Sequence, residues 1–204
     1  NPLNIIISND KKPESVYLAS FLFLGLTWFE LVWRKPGNPF HIGVMFLVLF
    51  IVVNCLKLFF NKTSIEIDPL LLLHHLYSKL RVVNSKPLFR NLLNNISNLI
   101  KTSGMEYFIL LMIGTVTYDG LRGTVFWYNQ FGTRIYDLAF STFTFLGINL
   151  LLILFYRFAC YFALKVSDSN YPLNEVSLAF GHTMLPIAFA YHVTHYLSLL
   201  LFES

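Results

Sequence analysis

Apolar residues gather in five runs, Ser15 to Trp33, Pro39 to Phe60, Gly104 to Tyr118, Tyr136 to Leu164 and Leu173 to Phe202, with polar connectors between them. A helix needs about 20 predominantly apolar residues to cross hydrocarbon, and most of the runs reach that length. The pattern predicts an all-α fold, a polytopic transmembrane helical bundle of about five spans in a single transmembrane domain over residues 1–204.

Two shorter patterns, near residues 69–80 and 87–101, interrupt the connector between the second and third runs. Asp68 before Pro69 reads as an N-cap followed by proline at the first helical position. Beyond it Leu72, Leu73, Leu76, Tyr77 and Leu80 share a face opposite His75, Ser78 and Lys79. Pro87 opens the second pattern, in which Phe89, Leu92, Leu93, Ile96, Leu99 and Ile100 oppose a face of asparagines, Arg90 and Lys101. Such amphipathic helices either lie in the headgroup plane, where basic residues favour anionic lipid, or pack against the chain's own spans. The pattern leaves both open. His74 and His75, being adjacent, point about 100° apart on a helix and do not readily share a ligand.

Composition strengthens the membrane reading. The chain is 55% hydrophobic and 13% charged, against about 25% charged residues in an average soluble domain. If all five runs span, nine basic residues collect on one side (Lys11, Lys12, Lys62, Lys79, Arg81, Lys86, Arg90, Lys101 and Lys165) and four on the other (Arg34, Lys35, Arg122 and Arg134). Cytoplasmic loops carry the excess of Lys and Arg, so the start is expected inside and Ser204 outside. Anionic lipids are then the expected partners at the inner face. The positive charge lies on that face with no basic and aromatic pattern suited to nucleic acid. Cys55 and Cys160 fall in separate apolar runs and read as small core residues, not as a disulfide framework or a zinc site. The chain opens at Asn1 without an initiator methionine, and the stretch through Glu14 lacks the order of a signal peptide, so an upstream portion is expected.

Threading also sets depth. Glu30 near the end of the first run, His41 at the start of the second, Asp119 at the end of the third, and His192 and His195 in the last all fall in the outer third of the membrane. His192 and His195 are three residues apart and project from nearly the same helix face. His182 sits about 15 Å deeper unless Pro186 bends the helix. Carboxylates and imidazoles are ordinary ligands for a divalent transition metal, which would lower the pKa of a bound water toward 7. The structural alternative is hydrogen bonding of each group to a neighbouring helix, with Asp119 capping a span. Intramembrane ionisable groups are costly, which raises the functional reading. The aromatic connector Leu121 to Ile135, with Trp127, Tyr128 and Phe131, reads as a lid over such a site or as an interface anchor.

Trp28-Phe29-Glu30-Leu31-Val32, the segment Gly114 to Gly120, and Gly181 to Ala188 with Tyr191 and His195-Tyr196 together resemble a bacterial family of multi-pass membrane proteins often labelled fenitrothion hydrolase. The similarity runs from Asn1-Pro2 through nearly the whole chain and covers the middle of the longer family pattern. It implies a bacterial inner-membrane location, a hydrolytic activity and further spans on both sides. Glu30, Asp119, His182 and His195 match the pattern, whereas His192 stands where the family is apolar.

The expected site is therefore an outward-facing pocket with Asp119, His195 and Glu30 as catalytic groups and Asp119, His195 and His192 as candidate metal ligands. An accessory or scaffolding subunit of a larger membrane complex, partnered with other membrane subunits, is the first alternative. A transporter or proton channel is the second.

Overall fold

The computed structural model describes residues 14–33, 39–59, 67–79 and 103–202. The amphipathic pattern over 87–101 lies outside them. The fold is all-α. In chain order the helices are α1 (Glu14–Leu31), α2 (Pro39–Phe59), α3 (Pro69–Lys79), α4 (Met105–Arg122), α5 (Val125–Phe131), a 3-10 helix (Gly132–Tyr136), α6 (Leu138–Val166) and α7 (Leu173–Phe202). Each of the five apolar runs contains one long helix, and no strand occurs among the described residues.

Local chemistry sets the helix starts. The Asp68 carboxylate accepts from the N–H groups of Leu70 and Leu71 at 3.1 and 3.3 Å, the cap expected ahead of Pro69. Lys57 at the end of α2 reaches the same carboxylate at 3.4 Å. Asp137 caps α6 by accepting from the Ala139 N–H at 3.0 Å, so that helix begins just beyond Tyr136. Gly104, at φ 96°, takes the left-handed conformation that turns the chain into α4.

α4 is the hub, with its broadest contacts to α7, α6 and α1. It is buried almost all round, from Met105 through Val116 apart from the half-buried Tyr107, as befits a central helix. Phe23 of α1, Phe108 and Met112 of α4, and Leu185 and Ala188 of α7 meet in the main core. Leu72 and Leu76 of α3 are 1% and 0% exposed in that same core, so α3 packs against the long helices. Two close approaches hold α4 to its neighbours. A Cβ on Gly114 would overlap the Asn149 side chain of α6, and one on Gly181 of α7 would lie 2.8 Å from the Glu106 Cβ.

These pairings give the helix directions. Phe23 packs on Phe108 with the rings tilted and 5.1 Å apart, and the Arg122 guanidinium donates to the Leu31 carbonyl, so α1 and α4 run the same way. α7 runs with them, because Gly181 meets Glu106 and His192 lies toward the Asp119 end. α2 and α6 run oppositely, through Leu26 with Leu49 and Val53, and through Tyr118 with Phe145.

α6 buries only a stripe, Ser141, Phe145, Asn149, Tyr156 and Cys160. The rest of its surface is apolar and exposed, with Phe143 at 77% and Phe155 at 71%. Its 29 residues make it long and apolar enough to cross a membrane. The two halves of α7, Leu173–Gly181 and Thr183–Thr194, meet that condition together and are bent by 44°. Pro186 accounts for the bend, since it has no N–H for the His182 carbonyl one turn earlier and its ring crowds that group. Inside the helices Ser20, Thr27, Thr115, Thr117, Thr142 and Thr144 donate their hydroxyls to carbonyls three or four residues back. This satisfies each hydroxyl without water. Cys160 is buried as expected, but Cys55 is exposed because it lies on the unpacked face of α2.

Candidate functional site

A cavity of about 360 Å³ opens among α1, α2, α3, α4 and α7. Its polar lining is Thr27 and Glu30 from α1, Thr115 and Asp119 from α4, and His192 from α7. The remaining wall is apolar: Phe23, Leu26, Phe29 and Leu31 of α1, Met45 and Phe46 of α2, Leu70 and Leu73 of α3, and Val116 of α4. Concave, mostly apolar sites with a few convergent polar groups are the usual form of small-molecule pockets.

The parallel course of α1, α4 and α7 brings the three ionisable groups to one level. Glu30 and Asp119 stand in the last turns of α1 and α4. A helix C-terminus carries partial negative charge, so a carboxylate there is locally disfavoured by roughly 0.3–1 kcal/mol. The Arg122 guanidinium offsets part of this by donating to the Leu31 carbonyl at the end of α1.

His192 is 7% exposed. Its Nδ1 lies 3.1 Å from the Ala188 carbonyl, which only accepts, so Nδ1 carries a proton. The Tyr77 ring meets the imidazole edge-on at 6.4 Å and Phe189 at 5.0 Å. The Tyr77 hydroxyl is buried with no hydrogen-bond partner among the described residues, and burial pushes the phenol above its ordinary range.

The expected set is thus partly assembled. Glu30, Asp119 and His192 share the cavity, whereas the side chains of His195 and His182 lie outside the described residues. His41 does not line the cavity; it is half-buried on α2 with its ring against Phe40 at 5.9 Å. Nor does the Leu121 to Ile135 connector reach it. That segment folds as α5 and the 3-10 helix, and Trp127 packs on Phe131, which meets Phe140 of α6. Among the described residues, no group of three or more His, Cys, Asp and Glu side chains is arranged to hold a metal ion.

A second ionisable group escaped the sequence reading. Glu106 is 4% exposed at the opposite end of α4, where its carboxylate accepts from the Gly104 N–H at 3.1 Å. Arg157 of α6 lies near that end, donating to the Tyr107 hydroxyl at 2.6 Å and to Asn174 at 2.9 Å. An acidic residue within the apolar run Gly104 to Tyr118 was the available signal. No protein-family model matches the chain, and no curated protein or solved structure matches it.

Proposed function

We propose that the chain is a multi-span integral membrane protein that binds a small, mainly apolar ester in its cavity and hydrolyses it. The observation that carries this reading is the common lining by Glu30, Asp119 and His192, contributed by three helices. In this reading His192 Nε2 accepts a proton from water, and the two carboxylates stabilise the imidazolium that forms. The apolar wall holds the ester and limits access of bulk water. A divalent transition metal belongs to the same proposal. Asp119 and His192 would supply a carboxylate and an imidazole, His195 is the third expected ligand, and the ion would supply a more acidic bound water.

The membrane setting is supported by the exposed apolar face of α6, since a water-facing monomer rarely keeps a contiguous apolar patch beyond a few hundred Å². Its helix of 29 residues would rise about 43 Å, against hydrocarbon about 30 Å thick. An orientation with the start of the chain cytoplasmic and its end outside rests on the distribution of Lys and Arg, and the inner-membrane location on the family resemblance.

The test is to reconstitute wild type, Asp119→Asn and His192→Ala in nanodiscs and measure bound metal and turnover of a neutral phosphotriester. Each variant is expected to lose turnover by about 100-fold or more. Unchanged turnover in both removes the hydrolytic reading, and stable copurifying subunits without turnover favour an accessory role. Transport is a second reading, favoured by the 44° bend in α7, because broken helices beside a midplane site are a recurring transporter feature.

A further inference from the structure

We infer that the cavity is filled sideways from the bilayer, through an opening between α2 and α3, and that its substrates are uncharged esters that dissolve in hydrocarbon. The inference rests on the proposed hydrolysis and membrane setting and names the substrate class of that same cavity. Of the described lining residues only two are exposed, Phe46 of α2 at 43% and Leu70 of α3 at 38%. The opposite wall is deep: Phe23, Leu26 and Thr27 of α1 and Thr115 of α4 are each no more than 8% exposed. The mouth therefore lies where α2 faces α3, and α1 with α4 forms its floor.

Both sides of this mouth are apolar. Along α2, Leu47, Phe50 and Ile51 are exposed near Phe46, and no Asp, Glu, Lys or Arg stands between Pro39 and Lys57. On α3, Leu71 is exposed beside Leu70. α2 and α3 each pack on α1. They are tied at one corner, where Lys57 meets Asp68 at 3.4 Å, and Phe46 lies about 16 Å along α2 from that tie. With α2 spanning, Phe46 sits about 10 Å in from the start of the helix, at hydrocarbon depth. A charged solute would have to shed its hydration to cross such a rim, whereas a neutral lipophile meets surface like the hydrocarbon it leaves. The floor suits the same ligand, because Thr27 and Thr115 donate their hydroxyls to carbonyls of their own helices, which satisfies those donors without a ligand or water.

The probe is a neutral hexadecyl phosphotriester with a diazirine beside the phosphorus, which its chain confines to the bilayer. It is photolysed with the protein in nanodiscs, and the labelled residues are mapped by peptide mass spectrometry. Its turnover and that of a water-soluble phosphotriester are measured in the dark. Label at Leu26 and Thr27, behind the rim, is expected beside label on the exposed face of α6. Leu70→Trp should narrow the opening, so that a variant keeping the α6 label loses the label at Leu26 and Thr27. Wild-type label confined to exposed faces overturns the inference, and needs no variant to fold. Unchanged label at Leu26 and Thr27 in Leu70→Trp overturns the route between α2 and α3. Turnover of the soluble ester without label behind the rim sinks this inference alone, whereas label behind the rim without turnover of either ester sinks the hydrolytic reading and leaves the entry route standing.

Discussion

Gly181 stands so close to Glu106 that a Cβ on the glycine would fall 2.8 Å from the glutamate Cβ and 3.3 Å from its Cα. The second contact is backbone, so α4 and α7 would have to separate to admit it. Gly181→Ala is expected to cost about 1–3 kcal/mol, as other overpacked cores do. Gly43→Ala is the control, because nothing lies within 4 Å of a Cβ there. It should gain up to about 1 kcal/mol from helix propensity. Thermal unfolding in one detergent compares them; equal midpoints would contradict the close approach.

Tyr77→Phe removes a buried hydroxyl that has no partner among the described residues. A buried unpaired group costs about 1–3 kcal/mol, so the variant should match or exceed wild type in stability. Tyr77→Ala should be clearly less stable, since it also removes the ring packed on Phe189 and His192. A destabilised phenylalanine variant would show that the hydroxyl has a partner.

Asp68 both caps α3 and meets Lys57. Asp68→Ala should cost about 1 kcal/mol through the lost cap. Lys57→Met should change stability by less than about 1 kcal/mol, because the pair is partly exposed, at 26% and 19%. Similar losses in the two variants would mean that the ion pair, not the cap, holds the start of α3.

The two cysteines report what surrounds the bundle. Cys55 is exposed on α2 and Cys160 is buried. In a bilayer a charged maleimide, which adds to the thiolate in water, should label neither Cys55 nor Cys160 before unfolding. Fast labelling of Cys55 by the charged reagent would place that face of α2 in water.

His41 and His192 separate the cavity from the rest of that end of the helices. His192→Ala should lower turnover about 100-fold or more, the scale of a lost general base. His41→Ala should stay within twofold of wild type, as its ring lies outside the cavity lining. Equal losses would argue against His192 as the base.

Much of this arrangement is written in the chain. Asp68-Pro69 announces its helix because the cap needs only four consecutive residues, Asp68 to Leu71. The five apolar runs each yield a long helix, and their alternation in direction follows from counting them. That count alone brings Glu30, Asp119 and His192 to one end, and the cavity joins them. What the chain withholds is rotation. His192 and His195 differ by about 60° around α7, a difference only the packing partner resolves. Cys55 was expected inside because an apolar helix carries no polar face to mark its outside. Glu106 shows in the sequence only as an acidic residue in an apolar run, since its neighbours in space, Gly104 apart, come from α6 and α7. The aromatic connector, expected as a lid or an interface anchor, leans on α6 through Phe131 and Phe140.

The missing backbone rung between His182 and Pro186 turns α7 into a lever. One arm is clamped by the glycine pressed on Glu106; the other carries the imidazole about 15 Å beyond the pivot. A difference of about 5° in the bend corresponds to about 1.3 Å at that ring, close to half a hydrogen bond's length. Replacing Pro186 with alanine would return the rung, straighten the arm and retune the distance from base to carboxylates without touching any group that lines the cavity.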